Sequence, residues 1–233
     1  MARVGLCEDD FAIRRVVSDA MRIAGHEVVS AHNGGEAIRL FVNDDALDVI
    51  FRTARTLRAW TPRPVSNDTL HAIYELMKWG PTSSNICPAR IVFVTTPEGK
   101  ARLEPALDRG NVKQTMTAPA TAILAYDLEF YEKLPLLVPH RDAKKDFVGK
   151  PELIEYEATR SATLQGGYFI VAARALDLDC GPMGGFDHAK LDAEFFPGGK
   201  VKSIFLCNLG YGDRSTLRPR APRLAFDGAC QIV

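Results

Sequence analysis

Four separated segments of the chain carry the residue types that could do chemistry, and all of them lie after residue 50. The first, Ala54-Arg55-Thr56-Leu57-Arg58-Ala59-Trp60, sets two guanidinium groups three positions apart with a hydroxyl between them. Arginine forks match the oxygens of a phosphate ester, and threonine adds a donor; an exposed helix face would show the same arginines. The second, Gly80-Pro81-Thr82-Ser83-Ser84-Asn85-Ile86-Cys87-Pro88, packs four polar side chains between two prolines. Such a stiff, donor-rich loop can hydrogen-bond a heterocycle edge or a polyol, or can serve only to end a helix with local side-chain bonds. The third, Cys180-Gly181-Pro182-Met183-Gly184-Gly185-Phe186, reads as a loop between a strand and a helix. Its glycines let backbone N–H groups approach a flat ligand. The fourth, Leu217-Arg218-Pro219-Arg220-Ala221-Pro222-Arg223, alternates arginine and proline, so that an extended backbone aims the arginines one way as a phosphate clamp, or forms a basic tail.

Other chemistries are disfavoured. No GxGxxG stretch is present, which argues against a Rossmann dinucleotide site. No His or Cys pair has metal-ligand spacing, so no metal site is expected. His140 and His188 read as structural histidines rather than proton donors, and no obligatory catalytic side chain stands out. Lysine plus arginine (29) equals aspartate plus glutamate (29), so no net field recruits nucleic acid or anionic membrane, and any anion must be caught by a local arginine cluster. The apolar runs are too short for a membrane helix. The five cysteines, Cys7, Cys87, Cys180, Cys207 and Cys230, are scattered and odd in number, which reads as reduced thiols in the cytoplasm.

The elements that must position these segments are legible from periodicity. Ser66 caps a helix whose apolar face is Leu70, Ile73, Tyr74 and Met77, with Gly80-Pro81 at its stop. Arg90 to Thr95 reads as a strand, Glu98 to Leu107 as a helix, and Ala120 to Tyr126 as a second strand. A long helix runs from Glu152 to Leu176, rich in small residues (Ala162, Gly166, Gly167, Ala172, Ala173) that let another backbone come close. Ser203 to Leu209 is a late strand. Separated strands among long helices give an α+β class. Residues 1–50 have a different rhythm. Arg3–Cys7 reads as a strand, a helix follows to Gly25, and His26 to Ala31 reads as a strand. Asn33-Gly34-Gly35 marks a turn, Glu36 to Val42 a helix, and Leu47 to Ile50 the start of a third strand.

From Leu47 to Val233 the chain resembles the nitroreductase superfamily. Within it the chain is most similar to the malonic-semialdehyde reductase branch of the bacterial pyrimidine-utilisation pathway. The phrases that carry the likeness are Phe-Arg-Thr-Ala-Arg-Thr (51–56), Leu-Met-Lys-Trp-Gly-Pro-Thr-Ser (76–83), Glu-Phe-Tyr-Glu-Lys-Leu-Pro (129–135), Gly-Pro-Met (181–183), Asn-Leu-Gly-Tyr-Gly-Asp (208–213) and Pro-Arg-Leu-Ala-Phe (222–226). The resemblance implies an intertwined homodimer with an FMN in each interfacial site, and ping-pong hydride transfer from NADPH or NADH to a small carbonyl substrate, malonic semialdehyde. It implies that Arg55, Thr56 and Arg58 contact FMN, Arg58 at the pyrimidine edge, and that Arg218 and Arg220 grip its phosphate. Pro81, Thr82, Ser83 and Asn85 would reach the flavin from the partner subunit, while Pro182, Met183, Gly184 and Gly185 would lie along the ring. Asn111 matches a ring-edge contact, but the usual Asn-x-x-Lys reads Asn111-Val-Lys113-Gln114, with the lysine displaced by one. Gly184 stands where a serine or acidic residue is common.

Residues 1–50 resemble the first half of a response-regulator receiver domain, a βαβα fragment of flavodoxin-like type. Glu8, Asp9 and Asp10 match that family's Mg²⁺-holding carboxylates. The phospho-accepting aspartate expected a few residues past Ile50 is missing, since Phe51-Arg52-Thr53-Ala54-Arg55 holds no carboxylate. The division expected is a truncated receiver-like fragment at 1–48 and an FMN domain at 49–233, without phosphotransfer.

Overall fold

The computed structural model describes residues 3–7, 11–24, 27–31 and 47–233. Its elements in chain order are β1 (Arg3–Cys7), α1 (Phe11–Ile23), β2 (Glu27–Ala31), α2 (Asn67–Met77), β3 (Ala89–Val94), α3 (Pro97–Leu103), α4 (Arg109–Met116), β4 (Ala120–Asp127), α5 (Leu134–Leu137), α6 (Pro151–Ala175), β5 (Asp179–Met183), α7 (His188–Phe195) and β6 (Val201–Gly210). The main sheet has the order β3-β4-β6-β5, and each of its pairings is antiparallel. An antiparallel sheet with helices between its strands is the expected α+β class.

Side-chain alternation along the two central strands divides the core between the two faces. Ala120, Ala122 and Leu124 of β4 and Cys207 and Leu209 of β6 meet Leu70, Ile73 and Met77 of α2 and Phe169 and Ala173 of α6. Ile123 and Leu206 point the other way, onto Leu103 of α3 and Leu191 of α7. Each large side chain fully buried here stabilises the fold by about 1.5–3 kcal/mol. The small residues of α6 have a definite use at Gly166, where a Cβ would fall 2.7 Å from the Phe205 ring of β6; at Gly167 it would meet nothing.

Local signals explain several boundaries. Ser66 caps α2 by accepting a bond from the Thr69 N–H at 3.1 Å. Thr96 does the same for α3 through Gly99, and Asp187 for α7 through Lys190. Three readings are corrected. The helix expected to run to Leu107 ends at Leu103 and tightens into a 3₁₀ turn at Glu104–Ala106, because Pro105 has no N–H to continue the ladder. Tyr74, expected on the buried face of α2, is half exposed beside a surface groove. Leu47 to Ile50, expected as a strand, is helical: Asp48–Arg52 forms a π turn closed by Thr53 N–H to Asp48 O at 2.8 Å. A four-residue apolar run does not distinguish strand from helix by periodicity.

In the amino-terminal part, β1 and β2 pair in parallel from Arg3↔Glu27 to Cys7↔Ala31, in a two-stranded sheet separate from the main one. The acidic triplet Glu8 to Asp10, the turn at Asn33-Gly34-Gly35 and the helix expected over Glu36 to Val42 lie outside the described residues.

Candidate active site

Strand β5 is an edge of the main sheet, and the first chemical segment is docked against it. Thr56 forms a parallel bridge with Cys180, and the Leu57 N–H donates to the Cys180 carbonyl at 3.1 Å. The segment continues as a lace. Ala59 O accepts from Asp213 N–H at 2.9 Å, Thr61 N–H donates to Tyr211 O at 2.8 Å, and the Trp60 indole donates to Gln114 O at 2.9 Å. This docking requires glycine at 181, since a Cβ there would stand 2.5 Å from the Leu57 carbonyl oxygen and 3.1 Å from the Trp60 ring.

The fourth segment closes over the first. Arg55 Nη2 donates to the Arg218 carbonyl at 2.6 Å, and Arg220 Nη2 donates to the carbonyls of Arg52 and Ala54 at 2.8 and 2.6 Å. The alternating arginines therefore do not simply face one way. Arg220 is turned onto the backbone through Nη2, while Arg218 is exposed.

At the other end of β5, Met183, Gly184 and Gly185 run on beside α4. The Gly185 carbonyl accepts from Asp108 N–H at 3.2 Å and from Asn111 Nδ2 at 2.8 Å. Met183 Sδ lies 3.5 Å from Thr115 Oγ1 and 3.8 Å from Gln114 Nε2. The third segment is thus not a loop after a strand, as its glycines and proline read; Asp179 to Met183 is the strand itself. Proline is tolerated at an edge, where its missing N–H breaks no central ladder. Of the three glycines, Gly181 and Gly185 make room for the chain's own atoms, and only Gly184 faces open space.

Behind Met183 stands a polar cluster that the sequence did not signal. Lys100 Nζ, buried, donates to Thr115 O at 2.8 Å and to Thr121 Oγ1 at 2.5 Å. Thr121 Oγ1 donates to Asn208 Oδ1 at 2.6 Å, and Asn208 Nδ2 donates to Thr115 Oγ1 at 3.3 Å. Burial pulls the Lys100 ammonium down to about 8. A lysine in the first turns of a short helix gives no sequence sign of being buried.

The second segment lies elsewhere. Asn85 Nδ2 donates to Leu137 O at 2.9 Å, Ser83 N–H to Ser161 Oγ at 3.3 Å, and Cys87 N–H to Thr82 Oγ1 at 3.2 Å. Among the described residues, none of its hydrogen bonds reaches the other three segments. Ser84, Asn85 and Cys87 have φ of 47°, 56° and 41°, left-handed values that cost non-glycine residues energy and cluster where a loop has a job. Pro81 and Asn85 line a groove of about 1020 Å³ with Leu70, Tyr74, Trp79 and Leu137. This groove, though Arg90 lines it, takes in none of Arg55, Arg58, Arg218 and Arg220; the cavity lined by Arg55, Arg174 and Arg214 is only about 80 Å³.

Among the described cysteines, Cys87, Cys180, Cys207 and Cys230 are free thiols. The Cys180 thiol beside it and then burial push Cys207 well above its usual range, so it is no nucleophile at neutral pH. His188 Nδ1 shares a bond with Ser203 Oγ at 2.9 Å and packs on Phe186, the structural histidine expected.

Comparison with known proteins decides the family. The nitroreductase family model matches residues 51–211. The chain belongs to the nitroreductase family. A curated relative, the "Putative NADH dehydrogenase/NAD(P)H nitroreductase" of Rhodopseudomonas palustris (strain TIE-1), is 56% identical over 190 residues, covering 82% of this chain and 97% of that protein. Solved nitroreductase folds superpose on it. The "putative nitroreductase" of Exiguobacterium sibiricum 255-15, in complex with FMN, gives a TM-score of 0.71 at 18% identity over 82% of this chain and 98% of that one. The "putative NAD(P)H:FMN oxidoreductase" of Staphylococcus epidermidis gives 0.72 at 18% identity over 82% and 97%. The nitroreductase match begins at Phe51, so residues 1–50 lie outside it. No helix among the described residues is long and apolar enough to cross a membrane.

Proposed function

We propose that the chain is an FMN-dependent NAD(P)H oxidoreductase acting as an intertwined homodimer, and that its carbonyl substrate is malonic semialdehyde, reduced to 3-hydroxypropanoate by a ping-pong mechanism. The observation that carries the flavin reading is the docking of Arg55 to Arg58 on β5. It gathers guanidinium donors, the Arg218–Arg220 segment, the open backbone at Gly184 and the Asn111 amide onto one edge of the sheet. These residues fit a flat, phosphate-bearing ring. Arg55, Arg218 and Arg220 supply phosphate donors, Thr56 a hydroxyl, and Arg58 a cation for the ring's polar edge. Pro182, Met183, Gly184 and Gly185 supply a stretch of backbone for the ring to lie along, open at Gly184. When bound, FMN supplies the hydride chemistry between NAD(P)H and the carbonyl.

The homodimer reading rests on the second segment. Pro81, Thr82, Ser83 and Asn85 are held in a strained loop away from the other three segments, so a second copy is needed to bring them to a flavin. Trp79 beside that loop and Leu224 and Phe226 in the tail are exposed apolar residues that a partner would cover. The substrate reading rests on the sequence phrases of the malonic-semialdehyde reductase branch. Residues 1–48 are read as an inert receiver-like fragment and 49–233 as the FMN domain.

Steady-state kinetics test the substrate. The kcat/KM for malonic semialdehyde is expected to exceed that for nitrofurazone at least about tenfold, the discrimination that one well-made polar contact supplies, and a chain starting at residue 46 is expected to keep the same ranking. Nitrofurazone as the better acceptor would replace this reading with a generic nitro- or quinone reductase. Turnover lost with residues 1–45 would show that the fragment is not inert.

A further inference from the structure

Helix α4 presents an unexpected side chain to the ring-edge position. Lys113, the displaced lysine of the Asn-x-x-Lys pattern, is exposed, while Gln114 is buried. Two amides then fix each other's orientation. The Gly185 carbonyl can only accept, so the group of Asn111 that faces it is Nδ2, at 2.8 Å. Asn111 Oδ1 therefore faces Gln114, which must present its own Nε2, at 2.5 Å. The same Nε2 lies 3.8 Å from Met183 Sδ, a weak acceptor. The backbone carbonyl of Gln114 is taken by the Trp60 indole. What remains is Gln114 Oε1, an acceptor that no donor of the described chain reaches. The arrangement depends on glycine at 185, where a Cβ would stand 2.6 Å from Asn111 Nδ2.

We propose that Gln114 is a specificity-determining residue of the flavin site, presenting a neutral carbonyl acceptor to the cofactor's edge where the family pattern presents a lysine, and that Lys113 takes no part in binding. This rests on the FMN reading above. An acceptor stabilises a ligand N–H and opposes negative charge at the atom it faces, whereas an ammonium does the reverse. The site is thus tuned to hold reduced FMN less tightly, relative to oxidised FMN, than a lysine-bearing site would.

The test is the dissociation constant of oxidised and of anaerobically reduced FMN for the full chain and for Gln114→Lys and Lys113→Met. The lysine variant is expected to tighten reduced FMN relative to oxidised by about tenfold, as one charge-assisted bond does. Lys113→Met, a change at an exposed position, is expected to leave the ratio within about twofold. A selective loss of reduced FMN in Lys113→Met would overturn the proposal even if the Gln114 variant fails to fold, and so would an unchanged ratio in a folded Gln114→Lys. Absence of FMN binding by the unmodified chain would instead sink the flavin reading itself.

Discussion

Replacing Gly181 with alanine is expected to destabilise the fold by about 3 kcal/mol and to weaken FMN binding about tenfold or more. The added Cβ would sit 2.5 Å from a backbone oxygen, that of Leu57, which cannot swing aside as a side-chain tip would. Leu57 is fully buried, and its N–H is bonded to the Cys180 carbonyl, so relief requires the whole Arg55–Arg58 segment to move off β5. That segment carries Arg55, on which the Arg218 carbonyl rests, so both arginine segments shift together. Urea unfolding and fluorescence titration with FMN measure the two effects. An alanine variant with unchanged stability and affinity would mean that the Thr56–Cys180 bridge does not organise the site.

Replacing Lys100 with methionine is expected to change how stability depends on pH. A lysine in the unfolded chain titrates near 10.5, and burial lowers Lys100 to about 8 in the fold. Between those values the unfolded chain holds the proton more readily, so the wild type gains stability as pH rises, by about 3 kcal/mol over the whole interval. Below about pH 8 both states are protonated and the cost of the buried ammonium is fully present. The geometry gives the cause. The neutral amine has two N–H groups for two acceptors, Thr115 O and Thr121 Oγ1, whereas the ammonium brings a third that meets no acceptor among the described residues. No charged side chain shares in the shift: Glu98, Arg102 and Glu104 on its own side, and Arg109 and Lys113 on α4, are exposed, and Thr121 and Asn208 from the sheet are neutral. Cys207, raised by the Cys180 thiol and by burial, loses stability as pH rises past 9, and Tyr126, raised chiefly by burial, does so past 10. The informative quantity is therefore the difference between wild type and Lys100→Met. It is expected to grow by about 2 kcal/mol in favour of the wild type from pH 7.5 to 9.5. A flat difference would contradict a lysine that titrates in this window.

The sequence revealed the elements better than it revealed their joints. The long helix α6, the Ser66 cap and the apolar strand β4 follow from periodicity and capping chemistry, and they sit within a residue or so of the bounds that these predict. Strand β5 was hidden because Gly181 and Pro182 are poor strand formers; what makes a strand there is tertiary, an edge position and a glycine needed for Leu57 to dock. Tyr74 kept its helical spacing but lines a groove rather than the core, which no local pattern shows. The four candidate-site segments are visible as residue types, and the family resemblance groups them at one flavin, but the contacts that bring them together are not legible. Thr56 to Cys180 and Arg55 to Arg218 are contacts between distant parts of the chain. Gln114 was missed because a glutamine one place beyond a lysine looks like solvated surface until the turn of α4 is known. Lys100 was missed because nothing in Gly99-Lys100-Ala101 marks it as buried.

The central claim, that these segments assemble an FMN site in this nitroreductase-family chain, is tested most directly by the absorbance of the purified full-length protein and of the supernatant after denaturation. The account predicts a yellow protein that releases FMN in about one equivalent per chain and bleaches on addition of NADPH or NADH under anaerobic conditions. A colourless protein that takes up no FMN when it is supplied would contradict it.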